Sequence, residues 1–308
     1  FYNGGGDSQD TTFKVSEMAK KLKFPLQCIG IPKTVDNDLP YTDCSPGFGS
    51  VAKYVATSTL EAGLDVKSMA ETSTKVFILE VMGRHAGWIA AASCLAASNQ
   101  GDPPHIILLP EIPFEKNKFI ARVKETVKKY GYCVIVASEG TKTKTGKFLA
   151  DSGLTDAFGH KQLGGVAPVM SSMISKIGLK NHWAVADYLQ RSARHIASKT
   201  DLDQAYAVGV QAVKLAVAGK TAVMPVIKRL SDTPYKWQIG TAPLKNIANI
   251  EKSVPRKFIS KDGFAVTSAG RRYLNPLIQG EAPTNFKHGI PEVALLKKSF
   301  VEKKLKKF

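Results

Sequence analysis

Cysteine is scarce in this chain and is never paired in sequence. The four cysteines, Cys28, Cys44, Cys94 and Cys133, stand singly and form no C-x-x-C motif. This spacing argues against a zinc site or a disulfide framework and favours reduced, mostly buried thiols in a cytoplasmic protein. Long apolar runs are also missing, since none approaches the ~20 residues that cross a membrane. We therefore expect a globular protein that does not bind a membrane.

Acidic residues are far fewer than basic ones in this chain. There are 26 Asp and Glu residues against 43 Lys and Arg, which gives a formal net charge of +17. This balance is typical of proteins that bind nucleic acid or small anionic substrates. The sequence contains no nucleic-acid motif and no basic patch interleaved with aromatic residues, so small anions are the expected partners. The basic end of the chain, 295–307, fits either a basic amphipathic helix or a solvated terminal helix.

Strands and helices alternate along the first two thirds of the chain. Apolar and β-branched runs predict strands, and the amphipathic or small-residue segments between them predict helices. The alternation is typical of an α/β fold, with a mostly parallel sheet covered by helices on both faces. Residues 141–165 are predicted to be a polar loop, and antiparallel strands are predicted after Gly219. The predicted strands are 26–31, 76–81, 105–109 and 133–137, and the predicted helices are 13–23 (capped by Thr11 or Thr12), 47–62, 86–98, 115–130 and 201–218.

A dense polar cluster follows the first of these strands. Residues 32–38, PKTVDND, bring together two carboxylates, an amide, a hydroxyl and an ammonium. Open α/β sheets bind their ligands at the carboxyl ends of the strands, which is where this cluster falls. Two aspartates two residues apart suit proton abstraction by one and metal or hydrogen-bond support by the other. An Asx-rich turn without a chemical role is the alternative.

Other polar clusters occupy similar positions. The loop Gly4-Gly5-Gly6-Asp7-Ser8 precedes a predicted helix, and its backbone N–H groups can approach phosphate oxygens there. A tight turn between strand and helix is the alternative interpretation of this loop. Arginine at the end of a strand can bind a phosphate or a sugar. Such clusters follow the later strands or precede a helix: Met82-Gly83-Arg84, Glu139-Gly140 and Tyr188-Leu189-Gln190-Arg191.

In this order and at these separations, GGGDS, PKTVDND, EVMGRHAG, SEG and YLQR resemble the motifs of the phosphofructokinases. The resemblance runs from Phe1 to about Gly219. It implies two open, mostly parallel sheets flanked by helices, with the active site in the cleft between them. Residues 1–45 and about 202–308 would form a phosphoryl-donor domain, and about 46–201 a fructose 6-phosphate domain. The implied reaction is glycolytic phosphorylation of the 1-hydroxyl of fructose 6-phosphate with Mg²⁺, by a homodimer or homotetramer.

The resemblance also implies roles for individual residues. Asp36 matches the general base, and Lys75 matches a basic residue that reaches the active site of a neighbouring subunit. Gly5, Gly6 and Ser8 match the phosphate loop. The positions that match substrate-binding residues are Thr34, Val35, Asp38, Met82, Gly83, Arg84, Glu139, Tyr188 and Arg191.

Two residues favour pyrophosphate as the phosphoryl donor. The side chain of Asp7 would crowd and repel the α-phosphate end of a nucleotide. The ammonium of Lys33 would stabilise the compact charge of pyrophosphate and of the transferred phosphoryl group. Both residues resemble the pyrophosphate-dependent branch, whose reaction is reversible, and we count both as catalytic. Asp7 is also the expected metal ligand.

The chain departs from the family pattern at two places. Gly6 stands where the family has an aspartate near the metal, which leaves Asp7 or Asp38 to take that part. The family also has a Gly-rich loop well upstream of GGGDS, so we expect this chain to be a fragment. An ATP-dependent 6-phosphofructokinase, and a non-catalytic regulatory subunit or polyanion-binding protein, are the alternatives. The presence of Asp36, Arg84 and Glu139 argues against a non-catalytic protein.

Overall fold

The computed structural model describes residues 1–155, 161–163, 165–300 and 302–303, with backbone only for 151–155 and 161–163. Parallel strands flanked by helices confirm the predicted α/β class. The strands are β1 (Tyr2–Gly4), β2 (Gly30–Pro32), β3 (Val76–Val81), β4 (Ile106–Leu108), β5 (Cys133–Ser138), β6 (Asp151–Thr155), β7 (Lys161–Leu163), β8 (Asn181–Val185), β9 (Val223–Asp232), β10 (Tyr235–Pro243), β11 (Phe286–Lys287) and β12 (Ile290–Pro291). The helices are α1 (Gly6–Lys21), α2 (Phe48–Met69), α3 (Trp88–Ala92), α4 (Lys116–Tyr130), α5 (Val166–Ser175), α6 (Asp187–Ser192), α7 (Lys199–Val217) and α8 (Ser268–Leu274).

A four-stranded parallel sheet in the order β4-β5-β3-β8 organises the middle of the chain. Its central strands are apolar and buried because helices cover both faces. Alternate side chains of β3 point to opposite faces, as a strand requires. Val76 and Ile78 pack with α4 and α5, whereas Leu79 and Val81 pack with α2 and α3. The carboxyl ends of β3, β5 and β8 therefore lie along one edge of the sheet.

A second group of strands joins the beginning of the chain to its later part. β1 pairs in parallel with β2, and an isolated bridge from Ile29 to Val223 connects β2 to the antiparallel hairpin of β9 and β10. Leu39, Met224 and Leu244 belong to the small core of this group. The antiparallel pair confirms the prediction of such strands after Gly219.

Several element bounds differ from the prediction. Helix α1 begins at Gly6 rather than at residue 13, and the hydroxyls of Thr11 and Thr12 donate to the carbonyls of Asp7 and Ser8 instead of capping it. Strand β2 is shorter than 26–31, because its partner β1 pairs only from Gly30 onward.

The later segments also show differences. The helix predicted over 86–98 is α3 followed by a 3-10 turn. The loop predicted over 141–165 contains the pair β6 and β7, although 156–160 and 164 lie outside the described residues.

The described residues bear on three predictions from composition. The four cysteines are buried free thiols, as predicted. None of the described helices combines the length and apolarity that a bilayer crossing needs. At the basic end, 292–300 shows no helix in the described part, and 301 and 304–307 of the segment 295–307 lie outside it.

Candidate active site

Two sets of strand ends converge on the turn that carries Asp36. β1 and β2 lead into the Gly-rich loop and into residues 33–38, while β3 and β5 lead into Met82 and Glu139. The positive charges of Arg84 and Lys33 act on the Asp36 carboxyl, and the charge of Asp36 acts on Glu139. The structure thus brings together side chains that are up to 106 residues apart in sequence, from Lys33 to Glu139.

Asp36 sits in a short turn held by Thr34. The backbone N–H of Asp36 donates to Thr34 Oγ1 at 3.1 Å, and this hydroxyl lies 3.4 Å from Asp36 Oδ2. The Thr34 N–H donates to the carbonyl of Pro46 at 3.3 Å, which ties the turn to the segment before α2. Burial raises the pKa of Asp36, and the Thr34 hydroxyl, Arg84 and Lys33 oppose that rise. Burial therefore makes Asp36 a stronger proton acceptor, while the nearby hydroxyl and positive charges still stabilise its ionised form.

Asp38 is the second carboxyl group of this turn. Burial, then the negative charges of Asp36 and Glu251, raise its pKa to about 7. Its Oδ1 is buried and has no hydrogen-bond partner among the described residues. No described group of three or more His, Cys, Asp or Glu side chains could hold a metal ion by itself. The orphaned oxygen nevertheless suits Mg²⁺, which commonly binds one or two carboxylates together with substrate phosphates.

The Met82–Arg84 segment and Glu139 are held against each other. Gly83 N–H donates to Glu139 Oε1 at 3.3 Å, and the Ser138 hydroxyl donates to the Gly83 carbonyl at 2.5 Å. Gly83 has φ of +135°, and a Cβ there would lie 2.7 Å from the Ala86 carbonyl oxygen. Burial raises the pKa of Glu139 to about 7, with Asp36 adding to the rise and Arg84 opposing it. The geometry thus requires glycine at 83 and presents a protonatable carboxyl group beside it.

The Gly-rich loop ends at the amino terminus of α1, with Gly5 as the N-cap. The Gly4 carbonyl accepts from Lys33 N–H at 3.1 Å and from the Gln9 side-chain amide at 2.8 Å, which fixes the loop beside the aspartate turn. The first N–H groups of a helix have no partner within it and attract anions. Asp7 is exposed in this first turn, and a Cβ on Gly6 would meet open space.

Tyr188 and Arg191 lie at the same edge of the sheet, in α6 directly after β8. The Arg191 guanidinium stands 4.1 Å above the centre of the Tyr188 ring, and Tyr188 is exposed. Lys75 precedes β3 at the opposite end of that strand, where its ammonium donates to the backbone carbonyl of Ala70. The structure does not bring Lys75 to the site of its own chain.

Other buried carboxylates, which the sequence did not single out, support the site. Asp201 accepts from Gly47 N–H at 2.9 Å and from Ser50 N–H at 3.0 Å, and so caps α2 from the start of α7. Glu111 accepts from Val254 N–H at 2.8 Å. Lys252, also missed, contacts the aspartate turn from 215 residues beyond Asn37. No local motif marks these residues, because their partners are distant in sequence.

The similarity to known proteins covers the whole site. The family described as phosphofructokinase matches residues 1–216. The pyrophosphate–fructose 6-phosphate 1-phosphotransferase of Halomonas elongata is 64% identical over 309 residues, which cover 100% of this chain and 74% of the relative. The enzyme of the same name from Methylococcus capsulatus is 57% identical, with 99% of this chain and 73% of the relative covered. A crystal structure of pyrophosphate-dependent phosphofructokinase from Marinobacter aquaeolei matches with a TM-score of 0.90 and 59% identity, covering 99% of this chain and 74% of that one.

Proposed function

The chain belongs to the phosphofructokinase family, and on that premise we propose that it transfers a phosphoryl group from pyrophosphate to the 1-hydroxyl of fructose 6-phosphate. The products are fructose 1,6-bisphosphate and phosphate. The observation that carries the proposal is the position of Asp36, a half-buried carboxyl group on which the charges of Arg84 and Lys33 act. The relatives of the same name at 57–64% identity support the choice of reaction.

Asp36 acts as the general base in this proposal. Phosphoryl transfer needs alignment and charge neutralisation more than covalent help, so the base accepts the hydroxyl proton as the new bond forms. A raised pKa strengthens Asp36 as an acceptor, and the Thr34 hydroxyl holds its carboxyl group in orientation. Lys33 and Arg84 stabilise the charge that spreads over the transferred group.

Fructose 6-phosphate is bound along the edge formed by β3, β5 and β8. Glu139 accepts hydrogen bonds from sugar hydroxyls, and its contact with Gly83 N–H keeps the Met82–Arg84 segment next to it. Tyr188 and Arg191 bind the 6-phosphate from the end of β8. Thr34 and Val35 complete the sugar site from the aspartate turn.

Pyrophosphate binds at the start of α1, where Gly5, Gly6 and Ser8 form the phosphate loop. The free N–H groups of the first helical turn and the ammonium of Lys33 favour this compact anion. Asp38, with its orphaned oxygen, and Asp7 are the residues that would hold Mg²⁺. Bound Mg²⁺ would neutralise phosphate charge. Asp7 also keeps the nucleotide end of ATP from the loop.

We also base the proposed domain division and subunit assembly on the family. The donor domain comprises 1–45 and about 202–308, and the fructose 6-phosphate domain comprises about 46–201. A homodimer or homotetramer in the cytoplasm is the proposed assembly. In it, Lys75 would reach the active site of a neighbouring subunit, which gives a use to a lysine that lies away from its own site.

Replacement of the base tests the proposal directly. In the complete protein, Asp36→Asn keeps the size of the side chain but removes its ability to accept a proton. We expect kcat to fall about 1,000-fold, with KM for both substrates changed by less than about threefold. Asp65→Asn, at an exposed position of α2, is the matched control and should keep the full rate. A rate for Asp36→Asn within a few-fold of the unchanged enzyme would refute the assignment.

A further inference from the structure

Lys252 places its ammonium against the loop that follows Asp36. Its Nζ donates to the carbonyls of Thr42 and Asp43, each at 2.9 Å, and to Asn37 Oδ1 at 3.3 Å. The ring of Trp88 lies beneath it, with its centre 5.4 Å from Nζ. Three oxygens thus take the place of water around this cation. Lysine can be withdrawn from solvent only when such oxygens replace its hydration.

The backbone of Lys252 contacts the same turn. Its N–H donates to the Asp38 carbonyl at 2.6 Å, and its own carbonyl accepts from Trp88 Nε1 at 2.7 Å. The indole ring therefore fixes Lys252 from one side, while Lys252 fixes Asp38 from the other. Main-chain and side-chain contacts of one residue act on the two positions that directly follow Asp36.

Asn37 transmits the contact to Asp36. It has φ of +56°, the left-handed region that asparagine tolerates better than most residues. Its Oδ1 accepts from Lys252 Nζ and from Ser45 N–H at 3.0 Å, and its Nδ2 donates to the Tyr273 hydroxyl at 3.2 Å. These bonds determine the direction in which the chain leaves Asp36. Loss of the ammonium would leave a buried amide oxygen with one donor fewer.

The charges around Lys252 explain why a lysine is accommodated here. Burial lowers its pKa to about 8, whereas the negative charges of Asp43 and Asp38 oppose the fall. Asp43 is itself paired with Arg229, whose Nε lies 3.0 Å from Asp43 Oδ2. Because Asp43 is already paired with Arg229, Lys252 has no carboxylate of its own among the described residues. The carbonyl oxygens of Thr42 and Asp43 therefore hold its ammonium in place.

We propose that Lys252 is a positioning residue for phosphoryl transfer: through Asn37 and Asp38 it holds the Asp36 carboxyl group in the orientation that accepts the hydroxyl proton. The inference rests on the proposed function. The Lys252 ammonium is occupied by oxygens of the protein itself, so its loss should impair the chemical step more than substrate binding. A displacement of about 1 Å at a reacting group can cost about 100-fold in rate.

Lys252→Met tests this inference in the complete protein, because methionine keeps much of the length of lysine but cannot donate. We expect kcat to fall about 100-fold and KM for fructose 6-phosphate to change by less than about threefold. Hydrogen exchange followed by mass spectrometry should show faster exchange in 36–46 and unchanged exchange in β3 and β5. Lys245→Met, at an exposed lysine, is the matched control and should match the unchanged protein in both measurements.

Two results would overturn the inference. One is a Lys252→Met enzyme with unchanged kcat; the other is faster exchange in β3 and β5 as well as in 36–46, which marks a general structural role. If Lys252→Met does not fold, Asn37→Gly decides, because glycine keeps the positive φ and removes the side-chain bonds of Asn37 to Lys252, Ser45 and Tyr273. It should lower kcat about tenfold with little change in KM, and an unchanged kcat would refute the link.

The test separates this inference from the proposed function. If the unsubstituted complete protein turns over fructose 6-phosphate with neither donor, the proposed function fails. The exchange of 36–46 is measured without turnover, so it still decides whether Lys252 holds the turn. Faster exchange of Lys252→Met confined to that segment supports the positioning contact. Unchanged exchange there would show that Lys252 does not hold the turn.

Discussion

At the scale of single residues, three carboxyl groups in one cleft differ in their surroundings. Burial raises the pKa of Asp36, Asp38 and Glu139, and the negative charge of Asp36 adds to the rise for Asp38 and Glu139. Arg84 supports the charge of Glu139 as well as that of Asp36, but only Asp36 also has the Thr34 hydroxyl and the charge of Lys33 beside it. The same chemical group can therefore serve as a base at one position and as a hydroxyl-binding or metal-binding group at the others.

The raised pKa of Glu139 predicts a pH-dependent stability. The folded protein holds this proton more tightly than the unfolded chain, so the group adds stability that is complete below about pH 4.5 and is lost as pH rises through about 7. Glu139→Gln has no proton to lose. Its free energy of unfolding, relative to the unchanged protein, should increase by about 1–3 kcal/mol from pH 4.5 to pH 8. Denaturant titrations without substrate or Mg²⁺ measure this, and a difference independent of pH would contradict it.

Asp7 carries the prediction about donor choice. Its exposed side chain stands in the first turn of α1, where a nucleotide would extend beyond the transferred phosphates. Asp7→Gly removes both the bulk and the negative charge, so kcat/KM with ATP should rise by about tenfold or more. Asp10→Asn, one turn later and paired with Lys14, is the control that should leave ATP use unchanged. If Asp7→Gly brings no gain with ATP, crowding is not what excludes the nucleotide.

Residues such as Lys252 show the limit of motif reasoning. The segment PKTVDND can be recognised from sequence by the density of its polar groups, and Asn37 lies within it. Lys252 is one lysine among many, and the oxygens that accept from its ammonium lie more than 200 residues earlier in the sequence. Only the fold reveals that its ammonium meets Thr42 and Asp43.

At the scale of elements, the turns after β3 and β5 hold the Met82–Arg84 segment in shape. Gly83→Ala would force a Cβ to within 2.7 Å of the Ala86 carbonyl oxygen at a positive φ. We expect a loss of about 1–3 kcal/mol in the free energy of unfolding and a higher KM for fructose 6-phosphate. Gly209→Ala, in α7 with open space around it, should instead stabilise by about 0.5–1 kcal/mol and leave the rate unchanged. Thermal unfolding and steady-state rates measure both, and a neutral Gly83→Ala would contradict the strain.

Elements with a strong apolar pattern could be predicted closely. β3 has the predicted bounds, and β5 and α4 each differ by one residue at one end. The start of α1 could not be predicted, because Gly5 and Gly6 are poor helix formers and only the loop's contacts with Gln9 and Lys33 place the helix there. The length of β2 was set by its pairing partner: its apolar run is longer than β1, the strand that it pairs with.

At the scale of the whole molecule, the two groups of strands bring polar strand ends together around Asp36. The formal net charge of +17 favours the approach of two anionic substrates to this cleft. The resemblance anticipated both sheets and the cleft. Composition alone left a choice between nucleic acid and small anions, and the position of Asp36 near Arg84 and Glu139 favours the small anions.

The most direct test of the central claim is the formation of fructose 1,6-bisphosphate by the complete protein. Purified enzyme is given fructose 6-phosphate and Mg²⁺ with either pyrophosphate or ATP, and the product is measured with each. We expect turnover with pyrophosphate and little with ATP. Turnover with ATP alone would contradict the donor assignment of Asp7 and Lys33 while keeping Asp36 as the base. Turnover with neither would contradict the proposed reaction.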